Sequence, residues 1–181
     1  MKLALRIEKE LKRSTCLYGF DFDNFDGTDF IEIIDDVLKN NSKWNYNSNV
    51  KGKRTENIFL DNVIFEKIMF SSKNYLSSFT DLLNPEYTML DAYGIRLDKG
   101  DWTANHRHGQ ADVSGILYLN SSNQKLFFPE LKLHIKPEPG RILFWDSLLR
   151  HETKPNLEDT PKHAIVFNLY YAAGQYLEYI S

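Results

Sequence analysis

The chain has 181 residues, enough for one domain with a hydrophobic core of its own. Its 22 basic and 25 acidic residues leave a net charge of −3, which gives no overall pull toward nucleic acid. A lone Cys16 excludes an internal disulfide, and no apolar run reaches the ~20 residues of a membrane span, so a reducing, cytoplasmic setting is expected.

In chain order, the opening MKLALRIEKELKR breaks its short apolar stretch with charges and does not read as a secretory signal. Across Asp29–Leu38, Phe30, Ile33, Ile34, Val37 and Leu38 recur at spacings of three and four. That spacing predicts a helix with one buried face, capped by Thr28 or Asp29 and ending near Asn40-Asn41. Residues 41–54 are rich in Asn, Ser, Lys and Gly and are predicted to form a loop over the site, with the basic cluster Lys51–Arg54 solvated. A second helix is predicted from about Asp61 to Leu83, with Ile64, Ile68, Met69, Tyr75, Leu76, Phe79 and Leu82 toward one side and Asn84-Pro85 as its stop. Cys16 is read as a buried structural thiol.

From Tyr87 the pattern changes to short strands, at 89–97, 113–120, 125–129, 131–135, 141–145 and 163–171. Turn-forming residues separate them at Asp98–Asp101, Ser121–Asn123 and Pro137–Gly140. Closely spaced strands with such turns predict a double-sheet barrel. The expected fold is α+β, one domain over 1–181 with mainly helical support in 1–86 and the barrel in 87–175.

The candidate site lies within Asn105–Asn168. His106 and His108 have the spacing that puts two side chains on one face of a strand, and His151 follows a later strand after a tight turn. These three imidazoles are candidate metal ligands. Neutral imidazole suits iron(II), zinc, copper or nickel, and three protein ligands leave positions open for substrate or water. Lys162 would bring a positive charge to the same pocket, to hold an anion. His134 and His163 sit in strand patterns and receive no role, since most histidines are surface groups or hydrogen-bonded core residues.

The run HRHGQADVSGILYLN resembles the ligand-bearing region of the iron(II)- and 2-oxoglutarate-dependent oxygenases, and in particular a small phage-type and marine-bacterial branch. Ser114-Gly115 and Tyr118-Leu119 match that branch, with Ala111 where a serine often stands. Pro139-Gly140, Phe144, Ser147, His151 and Pro155-Asn156 follow in its order, Trp145-Asp146 stands in place of a single proline and part of the turn, and Phe167-Asn168 matches its closing pair. The likeness spans roughly residues 90–171 and implies a double-stranded β-helix (jelly-roll, cupin-like) core. It also implies Fe(II) and 2-oxoglutarate as cofactors, and a dioxygenase that hydroxylates its substrate with release of succinate and carbon dioxide.

Two departures from the family pattern bear on that expectation. The superfamily binds iron through two histidines and a carboxylate. Here either His106, His108 and His151 are the ligands, or Asp112 replaces one of them from the adjoining turn. The family's arginine for the far carboxylate of 2-oxoglutarate falls at Lys162, a point charge without the bidentate fork. By composition alone such a lysine is an exposed strand-edge residue.

The resemblance assigns Tyr118 to the same carboxylate and Asn168 to the cosubstrate or a ligand imidazole. Ile116, Leu143 and Phe167 are expected to wall the cavity, and Trp102, Trp145 and the 41–54 loop to meet substrate. Two other functions stay open: a cupin-like metalloprotein with a three-histidine site that does not use 2-oxoglutarate, and a non-catalytic jelly-roll binding module. The expected partner is a small-molecule or peptide substrate, without membrane or nucleic acid, and a homodimer is compatible with the sequence.

Overall fold

Residues 2–10, 14–40, 49–80, 83 and 87–171 are described in a computed structural model of the chain. Two strands open it, β1 (Lys2–Glu10) and β2 (Ser14–Asp21), followed by helix α1 (Thr28–Asn40). The short strands β3 (Val50–Lys51) and β4 (Lys53–Arg54) precede helix α2 (Val63–Leu76). Then come β5 (Tyr87–Leu97), β6 (Trp102–Thr103), β7 (Val113–Tyr118) and β8 (Leu126–Phe128). A single 3-10 turn leads to β9 (Leu133–Ile135), β10 (Arg141–Asp146), β11 (Glu152–Thr153) and β12 (Lys162–Tyr171).

The major sheet runs in the order β1-β2-β10-β7-β12-β5-β4, and β11-β8-β9 and β3-β6 form two small sheets. Every major-sheet pairing with a stated register is antiparallel. Two cores follow from the two faces. On the outer face Phe30 and Ile34 of α1 and Phe65, Met69 and Leu76 of α2 pack on Leu117, Phe144, Ile165 and Phe167. On the inner face Ile95, Ile116, Tyr118, Leu143 and Trp145 meet Leu126, Phe128 and Ile135 of the small sheet. Each residue of β7 is buried, because this central strand is covered on both sides. The result is the expected α+β jelly roll with helices on one face. Among the described residues no helix is long and apolar enough to cross a membrane.

The expectation of a mainly helical first half is corrected at residues 2–21, which add two strands to the major sheet. The bidentate pair of Arg141 Nε and NH2 with Asp21 Oδ1 and Oδ2, each 2.8 Å, fastens the end of β2 to β10. Helix α1 forms as predicted, but Asp26 caps it: its carboxylate accepts from Thr28 N–H at 2.9 Å and from Thr28 Oγ.

Helix α2 is shorter than predicted. It is capped by Asn62, whose Oδ1 accepts from Phe65 N–H at 2.9 Å, and it ends at Leu76. Ser77 Oγ turns back to Asn74 O, and a hydroxyl in competition for backbone partners favours an end there. Its buried stripe is Phe65, Met69, Ser72 and Leu76, while Ile64 is exposed. Of the predicted 41–54 loop, residues 41–48 lie outside the described residues, and the remainder carries β3 and β4.

Candidate metal and anion centre

The first two candidate ligands from distant parts of the chain are brought together by backbone. His106 N–H donates to His151 O at 3.1 Å and His151 N–H donates to His106 O at 3.0 Å, an isolated antiparallel bridge. His108 N–H donates to Ser147 O at 2.8 Å, and Ser147 Oγ donates to Ala111 O. The turn after His108 is thereby tied to the turn before His151. His106 and His108 are not on a regular strand as expected, since His106 alone is in the bridge, yet both rings reach the same cavity.

One ligand nitrogen from each of the three histidines lies within 4.8 Å of the other two, and among the described residues no carboxylate joins the group. His106 Nδ1 is 2.7 Å from Ala104 O and His151 Nδ1 is 3.1 Å from Leu149 O. A carbonyl only accepts, so each Nδ1 carries the proton and each Nε2 presents a lone pair. His108 Nε2 is buried and without a partner among the described residues. Nitrogens bound at about 2.1 Å to one ion sit no more than ~4.2 Å apart, so loading needs only a small inward adjustment of the rings.

Burial pushes all three imidazoles below their usual range, His108 to about 4 and His151 well down, with the neighbouring histidines adding to the effect at both. They are therefore neutral at pH 7, the ligating state. The donor set fits a divalent ion that accepts imidazole nitrogen.

The register carries the cavity onward from the histidines. Val166 pairs with Ile116 and Ala164 with Tyr118, so Lys162 lies beyond Tyr118 on the same inward face. Lys162 is only 1% exposed, and burial pushes its ammonium down to about 7. No hydrogen bond or ion pair from a described residue compensates it. The Tyr118 hydroxyl is fully buried, raised by burial and without a partner. An unpaired buried ammonium and an unpaired buried hydroxyl lining one cavity are costly unless an anion completes both. The expectation of a surface strand-edge lysine is excluded at this position.

Further members were less visible in sequence. Tyr93 and Ile95 of β5, Val50, Thr103 and Thr153 line the cavity, and Trp145 stands with its ring 4.9 Å from that of His151. The Trp145 indole N–H is buried and has no partner among the described residues. Arg54, expected in a solvated cluster, lies with its guanidinium 3.6 Å above the centre of the Tyr93 ring. No local pattern could have revealed that contact, because it joins β4 to β5.

Asp112 does not join the ligands: it is exposed, and its carboxylate accepts from Tyr171 N–H at 2.6 Å. Asn168 shares the inward parity of Lys162, accepts from Ser114 Oγ at 2.6 Å, and donates to Asp91 Oδ1 at 2.8 Å. Phe167 faces the helices instead of the cavity, as odd parity on β12 requires. Leu143 belongs to the inner core and Ile116 lines the cavity as expected, whereas Trp102 is 39% exposed and outside the lining. His163 Nε2 meets Asp35 of α1 at 2.9 Å, and the His134 ring stacks on Phe127, so neither enters the site.

No family model and no curated protein matches the chain. Solved structures do. The viral collagen prolyl hydroxylase of Paramecium Bursaria Chlorella virus-1, in complex with 2OG, aligns with a TM-score of 0.64 at 18% identity, over 85% of this chain and 96% of that one. HygX from Streptomyces hygroscopicus, with nickel, 2-oxoglutarate and hygromycin B bound, aligns at 0.63 and 11% identity, over 85% of this chain and 82% of that one. A prolyl hydroxylase from Trichoplax adhaerens, in complex with a hypoxia inducible factor peptide fragment, aligns at 0.59 and 17% identity, over 90% and 86%. The fold is that of the Fe(II)- and 2-oxoglutarate-dependent oxygenases.

Proposed function

We propose that the protein is an Fe(II)- and 2-oxoglutarate-dependent dioxygenase that hydroxylates its substrate. One observation carries this reading: three neutral imidazoles converge in the same cavity as the buried Lys162 ammonium and a buried phenol, Tyr118, whose hydroxyl has no partner among the described residues. The shared fold supports it, since neighbours of that fold hold 2-oxoglutarate and nickel.

In this reading His106, His108 and His151 hold the metal through nitrogen lone pairs, with the rings of His106 and His151 fixed by backbone carbonyls. Lys162 gives the far carboxylate of 2-oxoglutarate a point charge, and the Tyr118 hydroxyl donates a second bond to it. Asn168, held between Ser114 and Asp91, fixes the inner face of β12 on which Lys162 sits. Ile116, Val166 and Trp145 exclude water around the metal side of the cavity. When bound, iron(II) and 2-oxoglutarate would supply oxidative decarboxylation to succinate and carbon dioxide, coupled to hydroxylation of a C–H bond.

The experiment is anaerobic loading with Fe(II), followed by measurement of succinate formed from 2-oxoglutarate in air. Succinate should appear, and should vanish in His151→Ala. The lack of a carboxylate ligand favours a second reading, a three-histidine cupin-like metalloprotein without 2-oxoglutarate. Stoichiometric iron with no 2-oxoglutarate turnover would select it, and failure to retain any metal would select a non-catalytic binding module.

A further inference from the structure

Against one wall of the cavity stands a cation that the cosubstrate does not need. Arg54 is half-buried on the short strand β4, and its guanidinium lies 3.6 Å over the ring centre of Tyr93, which is 5% exposed and walls the cavity. Tyr93 is a neutral platform, because burial pushes its phenol up to about 12. Stacking satisfies the face of a guanidinium but leaves the in-plane N–H groups free to donate. Among the described residues none of them makes a hydrogen bond or an ion pair. Asp91 feels its charge through space, and the Oδ1 of that carboxylate is already taken by Asn168. Arg54 pairs with Ile95, another cavity-lining residue, so its side chain shares the inward face of β5.

Charge balance points the same way. A two-histidine, one-carboxylate site places a fixed negative charge on the metal, and this site has none. With three neutral imidazoles, a divalent ion and the dianionic cosubstrate cancel, and Lys162 and Arg54 outweigh Asp91. Arg150, next to His151 in the chain, is engaged by Asn105 Oδ1 at 2.9 Å. A partly desolvated pocket with an excess of positive charge favours one further anionic group, and Arg54 has the free, planar donors to receive it.

We propose that Arg54 forms an oxyanion subsite at this wall of the cavity, and that the substrate is therefore a molecule bearing a carboxylate or a phosphate. This inference rests on the Fe(II)- and 2-oxoglutarate-dependent reading for its cosubstrate, and it deepens that reading by giving the substrate class.

The test follows the Arg54 Nε–H resonance by NMR in protein loaded with Zn(II) and 2-oxoglutarate, titrated separately with methyl phosphate and with acetate. Saturating 2-oxoglutarate blocks Lys162. In Mn(II)-loaded protein the methyl protons of the bound anion should also relax faster, which places that anion near the metal. Arg54→Gln should weaken the anion about tenfold and Arg54→Lys by less, with 2-oxoglutarate affinity unchanged in both as the control for folding. The tighter of the two probes identifies phosphate or carboxylate as the group recognised. Equal anion affinity in Arg54→Gln, or no response to either probe, overturns the subsite. Failure to take Zn(II) or 2-oxoglutarate overturns the oxygenase reading instead, and the Nε–H titration of the metal-free protein still decides the subsite.

Discussion

Lys162 is charged in the unfolded chain at neutral pH, and burial in the fold drives its ammonium from 10.5 down to about 7. A cosubstrate carboxylate would restore the charged form, so binding above pH 7 must take up a proton. Affinity for 2-oxoglutarate should accordingly fall as pH rises above about 7, by up to about tenfold per unit. Calorimetry in buffers of different ionisation enthalpy would register the proton; a pH-independent affinity would remove Lys162 from the anchor. The same burial makes Lys162→Met informative. It should abolish 2-oxoglutarate binding yet stabilise the metal-free protein at pH 7 by roughly 2–4 kcal/mol, since a desolvated ammonium gives way to an apolar chain of similar length. A lower melting temperature for that variant would show that Lys162 has a partner in the folded chain.

At the scale of elements, close backbone approaches set where the helices and strands can sit. A Cβ at Gly115 on β7 would run into the Phe167 ring and the Leu143 carbonyl, and one at Gly94 on β5 would run into Ile34 of α1. At Gly109, after His108, nothing lies within 4 Å. Gly115→Ala should cost about 1–3 kcal/mol in urea unfolding, whereas Gly109→Ala should stay within roughly 0.5 kcal/mol. Equal costs at the two glycines would contradict the packing of β7 between two cores.

Much of this scaffold is legible in the sequence, because β5, β7, β10 and β12 are long apolar runs bounded by turn residues. The His106/His108 spacing predicts one face of a strand, whereas the rings meet His151 through an isolated bridge and a turn. What sequence concealed is non-local. Residues 2–9 alternate apolar Leu3, Leu5 and Ile7 with charged Arg6 and Glu8, a period of two overshadowed by the helical reading of the first half. Phe167 and Val166 differ by one position, and that single step decides which of them faces the cavity. The role of Arg54 depends on a partner almost forty positions away on β5.

For the molecule as a whole, the site stores its polar groups in uncharged form, and that gives the metal-free protein a characteristic response to pH. His108 titrates near 4 when folded against 6.5 when free, and His106 and His151 are shifted the same way by burial. Between those limits the unfolded chain binds more protons than the folded one, so stability must fall as pH drops from 6.5 toward 4. Lys162 follows the same sign in a higher window, and stability must climb as pH rises from about 7 to 10.5. Asp91, raised by burial, opposes the trend only in the acid range. Melting temperature in a metal-free, constant-ionic-strength scan should therefore rise on both sides of neutrality as pH increases. Metal loading changes the pattern in a way that identifies its ligands. Histidines already neutral in the fold need shed almost no protons to bind an ion, so Zn(II) or Ni(II) titration at about pH 5.5 should release far fewer than the nearly three that solvated imidazoles would. Release approaching three protons would mean that the rings are solvated and charged before the ion arrives, and that they do not form a prebuilt site.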